Sequence, residues 1–159
     1  MYDLIIRNAL IADGLGNPLI EGDLAVKDGR VAASGHIEGN ALDTLDAEGY
    51  VLAPGVIDIH THYDGQAIWD NYLKPSSIHG VTTVVMGNCG VGFAPCKVND
   101  REKLVELMEG VEDLPSPVMH EGLSWDWETF PEYLNSLDKH NRDIDICALL
   151  PVSYTHLRA

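Results

Sequence analysis

The run Gly55-Val56-Ile57-Asp58-Ile59-His60-Thr61-His62 ends in two histidines spaced two apart. Imidazole nitrogens are metal ligands, and the apolar residues ahead of the pair form a short strand that can present them. Side chains on a strand alternate between faces, so Asp58, His60 and His62 are expected to share a face, with both imidazoles at its C-terminal end. The bland alternative is a pair of histidines capping a strand at the surface. The metal reading is favoured by context, because the C-terminal ends of strands carry the catalytic groups of barrel enzymes.

A second candidate is Cys89 in Gly87-Asn88-Cys89-Gly90, directly after another apolar strand. If the two strands are parallel, Cys89 stands at the same end of the sheet as the histidines. A thiolate is a good zinc ligand, and flanking glycines let the backbone turn tightly beside a site. On the residues alone Cys89 is open between a ligand and a buried small hydrophobe. Asp58 is open between fixing the tautomer of a liganding imidazole and serving as a satisfied core carboxylate. Asp64 and Asp70 line the mouth of the site or are ordinary loop residues. Cys96 and Cys147 are read as packing residues, as are Trp125 and Trp127. His36, His79, His120 and His140 lack partners at ligand spacing, and Glu121 and Glu128 are read as solvated.

Residues 1–53 supply short strands. Leu4-Ile5-Ile6 and Ala9-Leu10-Ile11 are separated by polar residues, and Gly14 and Gly16 mark a turn. Leu24-Ala25-Val26 and Arg30-Val31-Ala32-Ala33 flank Asp28-Gly29, a hairpin signal because such a turn needs positive φ. Val51-Leu52 ends this part, and Ala53-Pro54-Gly55 punctuates the passage to the next. Strands are then expected over Val56–Ile59, Val81–Met86 and Ile144–Leu150, the last mostly apolar and so expected to be buried on both faces. Leu104, Leu107, Met108 and Val111 recur at helical spacing, with Asn99 or Asp100 as N-cap and Gly110 near the end. Thr129 and Glu132 form a capping-box pattern with Pro131 in the first turn, ahead of a face made by Tyr133, Leu134 and Leu137. Strands alternating with helices imply an α/β fold built from parallel β/α units. Three such strands complete nothing, since a closed (β/α)8 barrel takes ~250 residues. The chain is therefore expected to be the front part of a longer protein.

The 159 residues carry a formal net charge of −15, which argues against nucleic acid or an anionic membrane as partner. Three cysteines are too few and too oddly numbered for a disulfide framework. The opening Met1-Tyr2-Asp3-Leu4-Ile5-Ile6-Arg7 lacks the basic and then apolar regions of a signal peptide. No apolar run approaches the ~20 residues that span a bilayer. A cytoplasmic location is the expectation.

With these residues in place, the chain resembles the N-terminal portion of the N-acyl-D-amino-acid deacylases (D-aminoacylases) of the amidohydrolase superfamily. The resemblance covers residues 1 to about 151 and is sharpest in Ala53–Asp64, in His79–Gly92 and in Leu107–Asp113. The first stretch alone would also fit hydantoinases and dihydroorotases; Asn88-Cys89-Gly90 points to the deacylase branch. The resemblance implies a small β-sandwich joined to a metal-dependent (β/α)8 (TIM) barrel. Residues 1–53 would be a partial sandwich completed by later strands, and 54–151 an incomplete barrel of three β/α units. It also implies that His60, His62 and Cys89 are metal ligands, with Zn2+ as cofactor, and that the catalytic aspartate and further histidines lie downstream. No catalytic residue is then expected within this chain.

The implied activity of the intact enzyme is hydrolysis of the amide bond of an N-acyl-D-amino acid to a carboxylate and a free D-amino acid. The alternatives are a cyclic amidohydrolase of the hydantoinase or dihydropyrimidinase type, and a non-catalytic incomplete scaffold. The 159-residue chain by itself is expected to be inactive. Residues 152–159 depart from the family, read as a non-native tail, and remove His156 from the ligand candidates.

Overall fold

The computed structural model describes residues 1–151; the expected tail 152–159, with His156, lies outside the described residues. The chain divides into two compact units, one spanning Met1–Pro54 and the other beginning at Gly55.

The first unit is a mixed five-stranded sheet of β1 (Tyr2–Ile11), β2 (Ile20–Lys27), β3 (Arg30–Gly35), β4 (Ala41–Asp46) and β5 (Val51–Leu52). The strand order is β3-β2-β1-β4, with β5 pairing farther along β1. Asp28 and Gly29 both take positive φ, 51° and 70°, so the β2–β3 hairpin turns where the sequence signals it. The two expected strands at residues 4–6 and 9–11 are one strand interrupted by a bulge, where the register to β2 shifts between Ile6 and Ala9. Asn8 occupies the bulge with φ 58°. Asp23 holds it there. Its carboxylate accepts the Asn8 backbone N–H at 3.1 Å and Arg7 Nη1 at 2.6 Å, while the same guanidinium donates to the Ile37 carbonyl at 2.6 Å. Strand β4 carries no alternating signal in the sequence, because Leu42 and Leu45 are three apart and both are exposed.

The second unit contains three parallel strands in sequential order, β6 (Val56–Asp58), β7 (Val81–Met86) and β8 (Asp145–Ala148). The β6–β7 crossover is built from short 3₁₀ turns at Gln66–Ile68 and Ser77–His79, whereas the β7–β8 crossover carries α1 (Arg101–Glu112), α2 (Ser116–Gly122) and α3 (Phe130–Asp138). Val84, Met86, Phe93, Val105, Met108, Met119, Trp127 and Tyr133 form the core, so Trp127 packs as expected. The Trp127 indole N–H is satisfied by the Phe93 carbonyl at 2.8 Å.

Helix α3 starts with the anticipated capping box. Thr129 accepts from the Glu132 N–H, and the Glu132 carboxylate accepts the Thr129 N–H at 2.9 Å. Tyr133 and Leu137 are buried, but Leu134 is exposed and Ser136 takes its place on the inner face. Helix α1 differs more. Its inner face is Leu104, Val105 and Met108, with Leu107 and Val111 exposed. It runs past Gly110 and stops where Asp113 turns left-handed at φ 53°. Strand β8 is shorter than the apolar run suggests and is not buried on both faces. Ile144 is buried, while Cys147 and Leu149 are exposed, so Cys147 is not the packing residue expected. No helix among the described residues is long and apolar enough to cross a membrane.

Strands β7 and β8 meet closely at their C-terminal ends. The Leu149 N–H donates to the Met86 carbonyl at 2.8 Å. Gly87 follows at φ 85°, and a Cβ there would stand 2.3 Å from the Leu149 carbonyl oxygen. The substitution Gly87→Ala combines a left-handed residue with a backbone clash and is expected to cost about 3 kcal/mol. Urea denaturation measures it, and a variant as stable as the parent contradicts this packing.

Asp23 gives a second prediction. Burial pushes its carboxyl up, but hydrogen bonds from Asn8 and Arg7 outweigh this and leave it below the usual 3.8. A depressed folded-state pKa stabilises the fold above the unfolded value and loses that contribution as pH falls through the folded value. Stability of the parent is therefore expected to fall more steeply than that of Asp23→Asn between about pH 4 and pH 2. Parallel curves in chemical denaturation across that range contradict the assignment.

Candidate metal centre

Strand β6 ends at Asp58, so His60 and His62 lie beyond regular strand and its alternation does not aim them. Hydrogen bonds do. The Asp58 carboxylate accepts the backbone N–H of His60 at 3.1 Å, turning the chain at the strand end and not touching an imidazole. Between the histidines, Thr61 donates both its backbone N–H and its hydroxyl to the Val85 carbonyl, each at 2.9 Å. The Asn88 side-chain amide donates to the same carbonyl at 2.8 Å and to the Thr61 carbonyl at 3.2 Å. The segment carrying the histidines is thereby fastened to the turn carrying the cysteine.

That turn is tight. Gly87, Cys89 and Gly90 all have positive φ, 85°, 56° and 78°. For Cys89, a residue with a Cβ, the left-handed conformation costs about 1–2 kcal/mol. The result is that the Cys89 sulfur lies 3.3 Å from His60 Nε2. The two imidazole centroids are 5.5 Å apart, and one ligand atom from each of His60, His62 and Cys89 falls within 4.8 Å of the others. A tetrahedral zinc with sulfur at ~2.3 Å and nitrogen at ~2.0 Å sets those two ligands about 3.5 Å apart. The His60–Cys89 separation fits that spacing, and a thiolate with two imidazoles is a donor set suited to zinc.

Acidic groups surround the cluster. His62 Nδ1 is buried and lies 3.1 Å from Glu112 Oε1. Asp64, 3% exposed, accepts the Gly87 backbone N–H. Burial pushes its carboxyl up to about 6 against that hydrogen bond, with the nearby Glu112 charge adding to the rise. Asp70, by contrast, is a loop residue, accepting from the Gln66 amide and the Tyr72 N–H. Of the remaining histidines, His120 pairs with Glu102 at 3.3 Å, and none joins a ligand cluster among the described residues. Cys96 is buried, which raises its thiol pKa. Glu112 was not singled out from the sequence; the available signal was its place one helical turn after buried Met108, where an apolar residue would be usual.

The profile of the Amidohydrolase family matches residues 43–153. The N-acyl-D-aspartate deacylase of Alcaligenes xylosoxydans xylosoxydans is 36% identical over 159 residues, covering 98% of this chain and 29% of the relative. The N-acyl-D-glutamate deacylase of Bordetella bronchiseptica, solved with zinc and a phosphonate mimic of the tetrahedral intermediate, superposes with a TM-score of 0.70 at 32% identity. That match covers 94% of this chain and 29% of the other. A D-aminoacylase structure, described as defining a novel subset of amidohydrolases, gives a TM-score of 0.76 at 29% identity, over 95% of this chain and 30% of that one. The chain thus spans under a third of the length of the relatives it matches. With a family match over residues 43–153, the chain belongs to the amidohydrolase family.

Proposed function

We propose that His60, His62 and Cys89 bind a zinc ion, and that the enzyme containing this segment hydrolyses N-acyl-D-amino acids to a carboxylate and a free D-amino acid. The observation that carries the reading is the convergence of three ligand atoms within 4.8 Å from two strand ends 29 residues apart in sequence. The kind of substrate comes from the deacylases that match 94–98% of this chain. The cyclic-amide alternative has thinner support, since the relatives matching nearly the whole chain are named deacylases and aminoacylases. A net charge of −15 suits a small-molecule substrate better than a nucleic acid.

When bound, the cation supplies a Lewis acid that polarises an amide carbonyl and acidifies a water. The chain's residues prepare for it. Neutral imidazoles offer lone pairs, the sulfur biases the site towards a soft divalent ion over magnesium or calcium, and the Asn88–Thr61–Val85 hydrogen bonds hold the spacing. None of the three ligands is free to act as general base, which on this reading is an aspartate from a later strand. Sequential parallel order β6-β7-β8 supports reading residues 54–151 as the first three strands of a (β/α)8 barrel. Residues 1–53 are then the first strands of the accompanying sandwich.

Zinc titrated into the purified chain is expected to bind near one equivalent by calorimetry. Cys89→Ala is expected to weaken binding by at least about 100-fold, or 2.7 kcal/mol. Residues 1–151 grafted in place of the matching segment of the D-aminoacylase relative should release D-methionine from N-acetyl-D-methionine and spare the L-isomer. Equal turnover by the Cys89→Ala graft contradicts the proposal.

A further inference from the structure

We infer that Glu112 is a positioning residue for the candidate cation site, holding the His62 ring through its Nδ1–H and so presenting Nε2 to the His60–Cys89 pair. This rests on the reading of His60, His62 and Cys89 as cation ligands.

Glu112 is in a poor place for a carboxylate. It is the last residue of α1, where the negative end of the helix dipole disfavours an anion. Its side chain is 15% exposed, one turn beyond Met108 on the inner face of the helix. It also lies within electrostatic reach of the buried carboxyl of Asp64. Each feature opposes a charge there, and among the described residues its ion-pair partner is His62 Nδ1 at 3.1 Å. The contact serves the other side as well. His62 Nδ1 is buried with no hydrogen-bond partner among the described residues, a state that costs about 1–3 kcal/mol for a ring N–H, and Glu112 Oε1 at 3.1 Å is the group placed to relieve it.

The contact also selects a tautomer. A lone pair on Nδ1 would face carboxylate oxygen at 3.1 Å, which is repulsive, whereas the positive end of an Nδ1–H is attracted to it. The proton therefore sits on Nδ1, and the ligating lone pair is on Nε2. A carboxylate behind a liganding imidazole fixes ring orientation and raises ligand basicity. Asp58 does not fill that role for the pair, because it accepts the backbone N–H of His60. The left-handed Asp113 that ends α1 fixes where the acid stands.

The test uses the 159-residue chain as parent, Glu112→Ala and Glu112→Gln, with Glu102→Ala as an exposed helix control. Imidazole nitrogen NMR of the metal-free chains reads the His62 tautomer, and calorimetry reads zinc affinity. The parent and Glu112→Gln, which keeps an acceptor oxygen, are expected to show the Nδ1–H form, and Glu112→Ala to lose it. Zinc affinity is expected to fall about 10–100-fold in Glu112→Ala, to recover largely in Glu112→Gln and to hold in Glu102→Ala. A His62 tautomer common to parent, Glu112→Ala and Glu112→Gln overturns the inference whatever zinc does. If no chain binds zinc but the tautomer still follows residue 112, the cation reading fails and the role of Glu112 in setting the ring stands.

Discussion

One carbonyl oxygen, that of Val85, joins the two halves of the candidate metal centre. It accepts the N–H and hydroxyl of Thr61 and the side-chain amide of Asn88. Thr61 sits between the two histidines and Asn88 immediately before the cysteine, so three hydrogen bonds to one atom set the distance between imidazole and sulfur. Each such bond contributes about 1 kcal/mol net, and the group is part-buried, so the three donors act together on one shared acceptor. The parallel pairing of β6 with β7 brings the two segments alongside each other; the clamp sets their final approach.

The centre also concentrates unfavourable local choices. Cys89 adopts a left-handed backbone, Gly87 has no room for a side chain, Asp64 is buried, and Glu112 ends a helix at the wrong pole of its dipole. Elsewhere in the same unit local preference and tertiary structure agree, as in the capping box of α3 and the apolar run of β7. Conflicts gathered in one place, with agreement around them, are the expected pattern where residues are retained for chemistry rather than stability.

Features with a local cause were readable from the sequence. Asp28-Gly29 turns a hairpin, Thr129 and Glu132 cap a helix, and Val81–Met86 is a strand over those same residues. Type and spacing single out His60 and His62 as candidates, and Cys89 joins them only through the family resemblance; the strand alternation expected to aim the histidines ends at Asp58. What escaped reading depends on distant partners. The bulge at Asn8 is held by Asp23 from 15 residues away, and Glu112 meets His62 across 50 residues of chain. Strand β4 carries no alternation because both of its leucines are exposed.

The central claim is that the sulfur of Cys89 and the rings of His60 and His62 bind one cation together. X-ray absorption at the zinc edge on the zinc-loaded chain tests it most directly. The expected spectrum has one sulfur at ~2.3 Å and imidazole nitrogens at ~2.0–2.1 Å, with the sulfur shell absent in Cys89→Ala. A shell of nitrogen and oxygen alone in the parent chain contradicts the claim.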